Sequence, residues 1–140
     1  PASTIGVVDR EKVITSFTKA QKAAEDLKKV EDSVRKLLED SNKQYEEAKT
    51  AKKPQAELES LQKSLQKKID EQYKKAQAQA QSMETTLETD IDSAIKAEAS
   101  SRKLETVFMK GAVLLGGTDI TDGVVKRLSA ASAPTGTATK

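Results

Sequence analysis

Residues 20–103 read AQKAAEDLKKVEDSVRKLLEDSNKQYEEAKTAKKPQAELESLQKSLQKKIDEQYKKAQAQAQSMETTLETDIDSAIKAEASSRK. This stretch holds no glycine and a single proline, Pro54. Lysine, glutamate, glutamine and alanine dominate it, and all four favour helix because they carry no β-branch. Proline is tolerated only in the first turn of a helix. The stretch is therefore expected to form two long helices, with Pro54 opening the second after a tight reversal at Lys52–Lys53. At about 1.5 Å per residue each helix spans roughly 50–70 Å. A hairpin of that reach does not fit inside a globule of this size and is expected to project from a body.

The apolar positions of the first arm step by three and four through Ala20, Ala23, Leu27, Val30, Val34 and Leu37, a narrow heptad seam. Continued, it meets Ser41, Gln44, Ala48 and Ala51, so the seam turns small and polar toward the tip. The second arm begins with Leu58, Leu61 and Leu65, then steps by four through Ile69 to Tyr73, and passes Ala76, Ala80, Met83 and Leu87 to Ile91 and Ile95. Such extra steps are stutters, which locally unwind a left-handed supercoil. Outside the seam, acids precede bases by four residues at Glu25–Lys29, Glu31–Arg35, Asp32–Lys36, Glu39–Lys43, Glu59–Lys63, Asp70–Lys74, Glu71–Lys75, Asp92–Lys96 and Glu98–Arg102. Each such pair supports an isolated helix by about 0.2–0.5 kcal/mol.

The body must come from the two ends. Ile5-Gly6-Val7-Val8 has the length of a short buried strand. Asp9 follows as a helix N-cap, with Val8 and Val13 at the spacing of a hydrophobic staple. The resulting short helix puts Val13, Ile14 and Phe17 on its buried side, and Thr18 is a candidate cap for the long arm. Past Lys103, Thr106–Met109 and Ala112–Leu115 are two β-prone runs separated by Lys110-Gly111, which predicts a hairpin. Gly116-Gly117 ends the second run. Thr121 is expected to cap a last helix whose stripe is Val124, Val125 and Leu128.

The fold class that follows is α+β: a small β-body from the chain termini carrying a long α-helical hairpin. Its parts are a strand and short helix at 1–18, the hairpin arm at 19–103 with its reversal near 52–54, a β-hairpin and helix at 104–129, and a disordered tail at 130–140. The body's core, and its surface for self-association, is expected from Ile5, Val7, Val8, Val107, Phe108, Val113, Leu114, Ile120, Val125 and Leu128. Three short strands with open edges and an apolar face call for cover by other subunits.

Composition narrows the chemistry. The 140 residues are 33% charged and 3% aromatic, with a net charge of +2 that argues for neither a nucleic-acid nor a membrane partner. Cysteine, histidine and tryptophan are absent. The commonest general base and the commonest transition-metal ligands are thus missing, and no cofactor or metal is expected. Glu46-Glu47 and Asp90/Asp92 project to different helix faces, and Gly116-Gly117 lacks the Lys-Ser/Thr of a phosphate loop. Catalysis is not expected. No window approaches the roughly 18 apolar residues of a membrane span. Pro1–Ile5 has neither a charged n-region nor an apolar h-region, so an exported form is expected to have lost its signal already.

The opening Ile5-Gly6-Val7-Val8-Asp9, the charged hairpin, and the closing Gly116-Gly117-Thr118-Asp119-Ile120-Thr121-Asp122-Gly123-Val124-Val125-Lys126-Arg127-Leu128 together resemble the Skp (OmpH-like) family of periplasmic chaperones over residues 5–129. The resemblance implies a homotrimer with a shared β-body and three helical tentacles. Between them, unfolded outer-membrane β-barrel proteins are held without nucleotide or metal. The chain departs from that pattern in a short segment between first strand and arm, and in Gln77-Ala78-Gln79-Ala80-Gln81, which has no basic residue for lipopolysaccharide. Between Lys43 and Lys75, nine lysines face six acids. Lys49, Lys52, Lys53, Lys63, Lys67 and Lys68 concentrate this charge near the reversal. They are candidates for contact with acidic clients or an anionic membrane surface through screened attraction; an ordinary solvated surface is the simpler reading. The alternative function is a structural coiled coil or adaptor for one defined partner. A prefoldin-like holdase is a variant of it, but prefoldin chains place their β-hairpins between the helices rather than at the ends.

Overall fold

The computed structural model describes residues 4–132. In order, it contains β1 (Ile5–Val8), α1 (Arg10–Thr15), α2 (Thr18–Thr50), α3 (Gln55–Ser101), β2 (Thr106–Met109), a 3-10 turn at Lys110–Ala112, β3 (Thr118–Asp119) and α4 (Thr121–Ser132). These elements form two compact units: one gathers the chain up to Ala23 and from Glu84 onward, and the other is Ala24–Met83.

The first unit is built on a three-stranded sheet in the order β2-β1-β3, with both outer strands parallel to β1. Gly6, Val7 and Val8 pair with Val107, Phe108 and Met109 on one side, and Gly6 and Val7 pair with Thr118 and Asp119 on the other. Asp9 caps α1 as its spacing predicts, its carboxylate accepting the Lys12 N–H at 3.1 Å. Val8 and Val13 then share one core with Phe17, Ile91, Ala94, Ile120, Val124 and Leu128. Chain direction changes between α1 and α2 at Ser16–Phe17. The Phe17 carbonyl accepts the N–H groups of Ala20 and Gln21, so Phe17 rather than Thr18 holds the cap position. Its phenyl ring is buried at 2% exposure.

The predicted 106–115 hairpin does not form. Lys110 and Gly111 enter a 3-10 turn closed by the Val113 N–H on the Lys110 carbonyl at 3.2 Å, and neither has the positive φ that a two-residue hairpin turn demands. The left-handed residues are Gly116 and Gly117, both at φ 89, and they turn the chain into β3 on the far side of β1. A Cβ on Gly117 would lie 2.9 Å from Val7 Cγ1, so glycine is required there for space as well as for angle. Without a hairpin turn Ala112–Leu115 does not fold back onto β2, its expected partner, and both edges of β1 are taken by β2 and β3. Leu114 and Leu115 are consequently solvent-exposed, at 103% and 91%.

Of the expected core residues, Val7, Val8, Ile120 and Leu128 are buried, and Val107, Val113 and Val125 are half-buried. Ile5, Phe108 and Leu114 are exposed in the single chain, as is Ile14, which the short-helix reading placed inside. The expected tail at 130–140 begins inside α4, which continues to Ser132; the remainder of that tail, 133–140, lies outside the described residues.

In the second unit, α2 and α3 meet along a half-buried seam. Leu27, Val30, Val34 and Leu37 lie on it as expected, followed by Ser41, Tyr45 and Ala48. The register thus steps by four after Ser41, and Gln44 and Ala51 point outward. On α3, Leu58, Leu61, Leu65, Ile69, Ala76, Ala80 and Met83 follow the predicted path, but the stutter expels Tyr73, which is 54% exposed. Only Ser41 and Leu65 are buried among the described residues of this unit, and neither completely.

The reversal falls where Pro54 predicts. Its carbonyl accepts the N–H groups of Glu57 and Leu58, and α2 ends in a Schellman arrangement. There the Lys53 N–H reaches the Ala48 carbonyl, the Lys52 N–H reaches that of Lys49, and Lys52 sits at φ 54. The same arrangement closes α3: Leu104 bonds to Ala99, Lys103 bonds to Ser100, and Lys103 has φ 57. Of the nine predicted i,i+4 ion pairs, Glu98–Arg102 alone closes among the described residues, at 3.0 Å. Arg35 turns instead to Asp32, and Asp92 to Arg10.

Candidate functional site

The two end motifs of the chain meet. Asp119 Oδ1 accepts the Thr121 backbone N–H at 3.0 Å and its hydroxyl at 2.6 Å. That hydroxyl in turn accepts the Asp9 N–H at 2.9 Å, across 112 residues of sequence. Thr121 is therefore not the N-cap of α4. Ile120 holds that position, its carbonyl accepting the Val124 N–H at 3.0 Å. Lysines flank the junction, with Lys110 Nζ 3.3 Å from Asp119 and Lys12 Nζ 3.4 Å from Asp122. The Thr121 hydroxyl and N–H, then Lys110, hold the Asp119 carboxyl below its ordinary range, against a smaller opposing effect of burial. These groups satisfy one another. They line a small cavity of about 170 Å³ with three carboxylates and two lysines, and their bonds join β1, β3, α1 and α4.

A second knot was not legible as one. Glu98, read from sequence as a helix-surface pair, is only 8% exposed. Its two carboxylate oxygens accept Arg102 Nε at 3.0 Å and Arg127 Nε at 2.9 Å. The Arg102 bond chiefly, then Arg127, lowers its pKa, with burial opposing. Gly123 is the clue that sequence did offer. A glycine in the first turn of an otherwise sound helix marks a close approach, and its missing Cβ would lie 2.4 Å from the Glu98 carboxyl carbon.

The six basic candidates are all exposed and, among the described residues, none forms an ion pair. The structure does not gather them into one cluster. Lys49, Lys52 and Lys53 sit at the reversal, with Lys49 Nζ 6.0 Å from the Tyr45 ring centroid. Lys63 and Lys67 share a face of α3 with Gln66, Asp70, Glu71 and Lys74, roughly 14–20 Å along the helix from Pro54. Lys68 turns to the groove between the two helices, beside Lys43, Asp40 and Glu47. That groove is floored by Leu65 and by Ser41, whose Oγ is buried without a hydrogen-bond partner. No group of three or more carboxylates among the described residues is arranged to hold a metal, and none of the described helices is long and apolar enough to cross a membrane.

The remaining conspicuous surface is apolar. The core-facing side of the sheet carries Val8 and Val107. The alternate residues Ile5, Val7 and Phe108 lie on the opposite side, where Val7 is covered by Gly117 but Ile5 and Phe108 are 43% and 48% exposed. Met109, which pairs with Val8 and so lies on the other side of the sheet, is also exposed, as are Leu114 and Leu115.

A terminal three-stranded sheet interrupted in sequence by a long helical hairpin defines a narrow structural class. The profile of the outer membrane protein (OmpH-like) family matches residues 4–128, and the chain belongs to that family. Among solved structures it is similar to a proposed outer membrane chaperone (OmpH-like) from Caulobacter crescentus CB15. The TM-score is 0.56 at 22% identity, covering 94% of this chain and 87% of that one. That likeness establishes the fold. Comparison with curated proteins gives no match.

Proposed function

We propose that this protein is an ATP-independent holdase that keeps unfolded outer-membrane β-barrel proteins from aggregating in the periplasm. Membership of the OmpH-like family carries the reading, and the Caulobacter structure is itself described as that of a proposed outer membrane chaperone. In this mechanism three chains share their sheets, and a client is confined between three helical hairpins. Retention comes from many weak contacts instead of a chemical step, so no catalytic group, nucleotide or metal takes part. The exposed Ile5, Phe108, Leu114 and Leu115 supply apolar surface for the shared body. The half-buried seam of the hairpin, with Ser41, Ala48, Ala76 and Ala80 along it, suits an arm that must yield to clients of different size. The lysines at 49, 52, 53, 63, 67 and 68 contribute a weak, screened attraction to acidic segments or to an anionic membrane surface.

The test is dilution of a urea-unfolded outer-membrane β-barrel protein into buffer with and without this chain, followed by turbidity and complex mass. Suppressed turbidity and a stoichiometric complex are expected. Undiminished aggregation with no complex would sink the holdase reading and leave the coiled-coil adaptor. Repeating the capture at low and high salt isolates the lysines: an unchanged yield removes them from the mechanism.

A further inference from the structure

The unit that holds the sheet also carries a half-open apolar groove of about 950 Å³ that neither the sheet nor the hairpin seam uses. Its volume lies within the roughly 300–1,000 Å³ of small-molecule sites. Phe17, Ala94 and Leu128, all under a tenth exposed, form the floor, and Ala97, Ala130 and Ala131 form the walls. Three cations, Lys19, Lys22 and Arg127, line it against one acid, Asp90.

The charges are not equally committed. Lys19 is closed onto Asp90 at 2.7 Å. Arg127 shares the single carboxylate of Glu98 with Arg102, so that group of three retains a positive charge. Lys22 has no partner among the described residues. At the same end of the groove α2 begins without an acid in its first turn, and its cap position is held by Phe17, whose side chain accepts no hydrogen bond. The positive end of the helix dipole therefore adds to the lysine. An apolar floor with a positive rim is complementary to a molecule with one anionic head and one apolar tail. A nucleotide or other polyanion is a poorer match: Thr18, Ser93 and Ser129 add hydroxyls to the lining, but its floor is apolar and Lys19 is already closed onto Asp90.

From this complementarity we infer that the groove binds a single-chain carboxylate amphiphile, a fatty-acid-like molecule. Its tail lies on Phe17, Ala94 and Leu128, and its carboxylate faces Lys22. The inference is independent of the holdase reading, and the two tests fail separately. Sodium decanoate, kept below its micelle concentration, is titrated into the full chain by calorimetry and by amide resonance shifts. Decyl maltoside and decyltrimethylammonium serve as neutral and cationic controls.

Saturable binding of one decanoate per chain is expected, with shifts centred on Ala94, Ala97 and Ala130. Binding at least tenfold weaker is expected for both controls, for Lys22→Glu, and for Ala97→Trp, which fills the groove. Equal binding of decyl maltoside, unaltered affinity in Lys22→Glu, or no saturable shift at all overturns the inference. If the bulky Ala97→Trp disturbs the helical circular dichroism, the exposed Lys22→Gln decides, since affinity equal to that of the parent protein refutes the site.

Discussion

Gly123 shows how one residue can reverse an ordinary expectation. Replacing a helical glycine with alanine normally stabilises a protein by roughly 1 kcal/mol. Here the new methyl would lie 2.4 Å from the Glu98 carboxyl carbon, and that carboxylate cannot swing aside without releasing Arg102 or Arg127. Gly123→Ala is expected to destabilise by about 1–2 kcal/mol net, measured by urea unfolding. The carboxylate it crowds also sets an acid limit. Glu98 and Asp119 are held below their ordinary values of 4.5 and 3.8 in the folded chain, so on acidification the unfolded chain takes up protons first. Their contribution is complete above the ordinary carboxylate range and is lost as pH falls through the depressed folded values. Unfolding free energy should therefore decline as pH drops below 4.5. The decline should be shallower in Glu98→Gln, which is already less stable at neutral pH because two arginines lose their acceptor. Equal slopes in the two proteins would remove Glu98 from the acid response.

At the scale of elements, what could be read from the chain was what depends on near neighbours. Asp9 capping Lys12, the staple of Val8 and Val13, and the reversal before Gln55 are all settled within five residues of sequence, and each stands where its pattern places it. The failures need partners that local pattern cannot supply. Ala112–Leu115 has strand propensity, but Lys110 and Gly111 enter a 3-10 turn without the positive φ that would fold it back onto β2. Thr121 is a good cap by type, yet its hydroxyl is engaged with Asp9 and Asp119. Gln44 continues the ascending heptads, but Tyr45 takes the half-buried place after Ser41. Glu98 satisfies the rule for a surface pair, and only the arrival of α4 makes it a buried one. The hairpin's own weak point is at this scale too. Ser41 is 5% exposed with its hydroxyl unpaired, and a buried polar group without a partner costs about 1–3 kcal/mol. Ser41→Ala removes that penalty and is a better helix former. It should stabilise the hairpin by about 1 kcal/mol, allowing for the small cavity left. Hydrogen exchange of the amides near Ser41 and Leu65 should slow accordingly, and faster exchange in Ser41→Ala would mean that the hydroxyl is satisfied in solution.

For the whole molecule the deciding quantity is apolar surface that one chain leaves uncovered. Leu114 and Leu115 are essentially fully exposed, and Ile5, Phe108 and Met109 are exposed by 43–59%. Full burial of one leucine side chain is worth roughly 1.5–3 kcal/mol, so covering both leucines and part of the other three offers enough to offset several kcal/mol of association cost. The sheet provides a second reason: among the described residues its outer strands, of four and two residues, end in unpaired edges. Association that covers these residues is therefore expected, and light scattering should return three times the 15.2 kDa chain mass if the shared body is trimeric. Leu114→Ser with Leu115→Ser should shift the protein toward monomer and make the assembly dissociate at higher protein concentration. Circular dichroism at high concentration should stay unchanged, because neither leucine belongs to the intrachain core. Thermal stability of the parent protein should rise with concentration, as it must when folding and assembly are linked, and that of the double variant should rise less. A parent protein that scatters as a monomer with a concentration-independent melting point would remove the trimeric body, and with it the confinement on which the holdase mechanism depends.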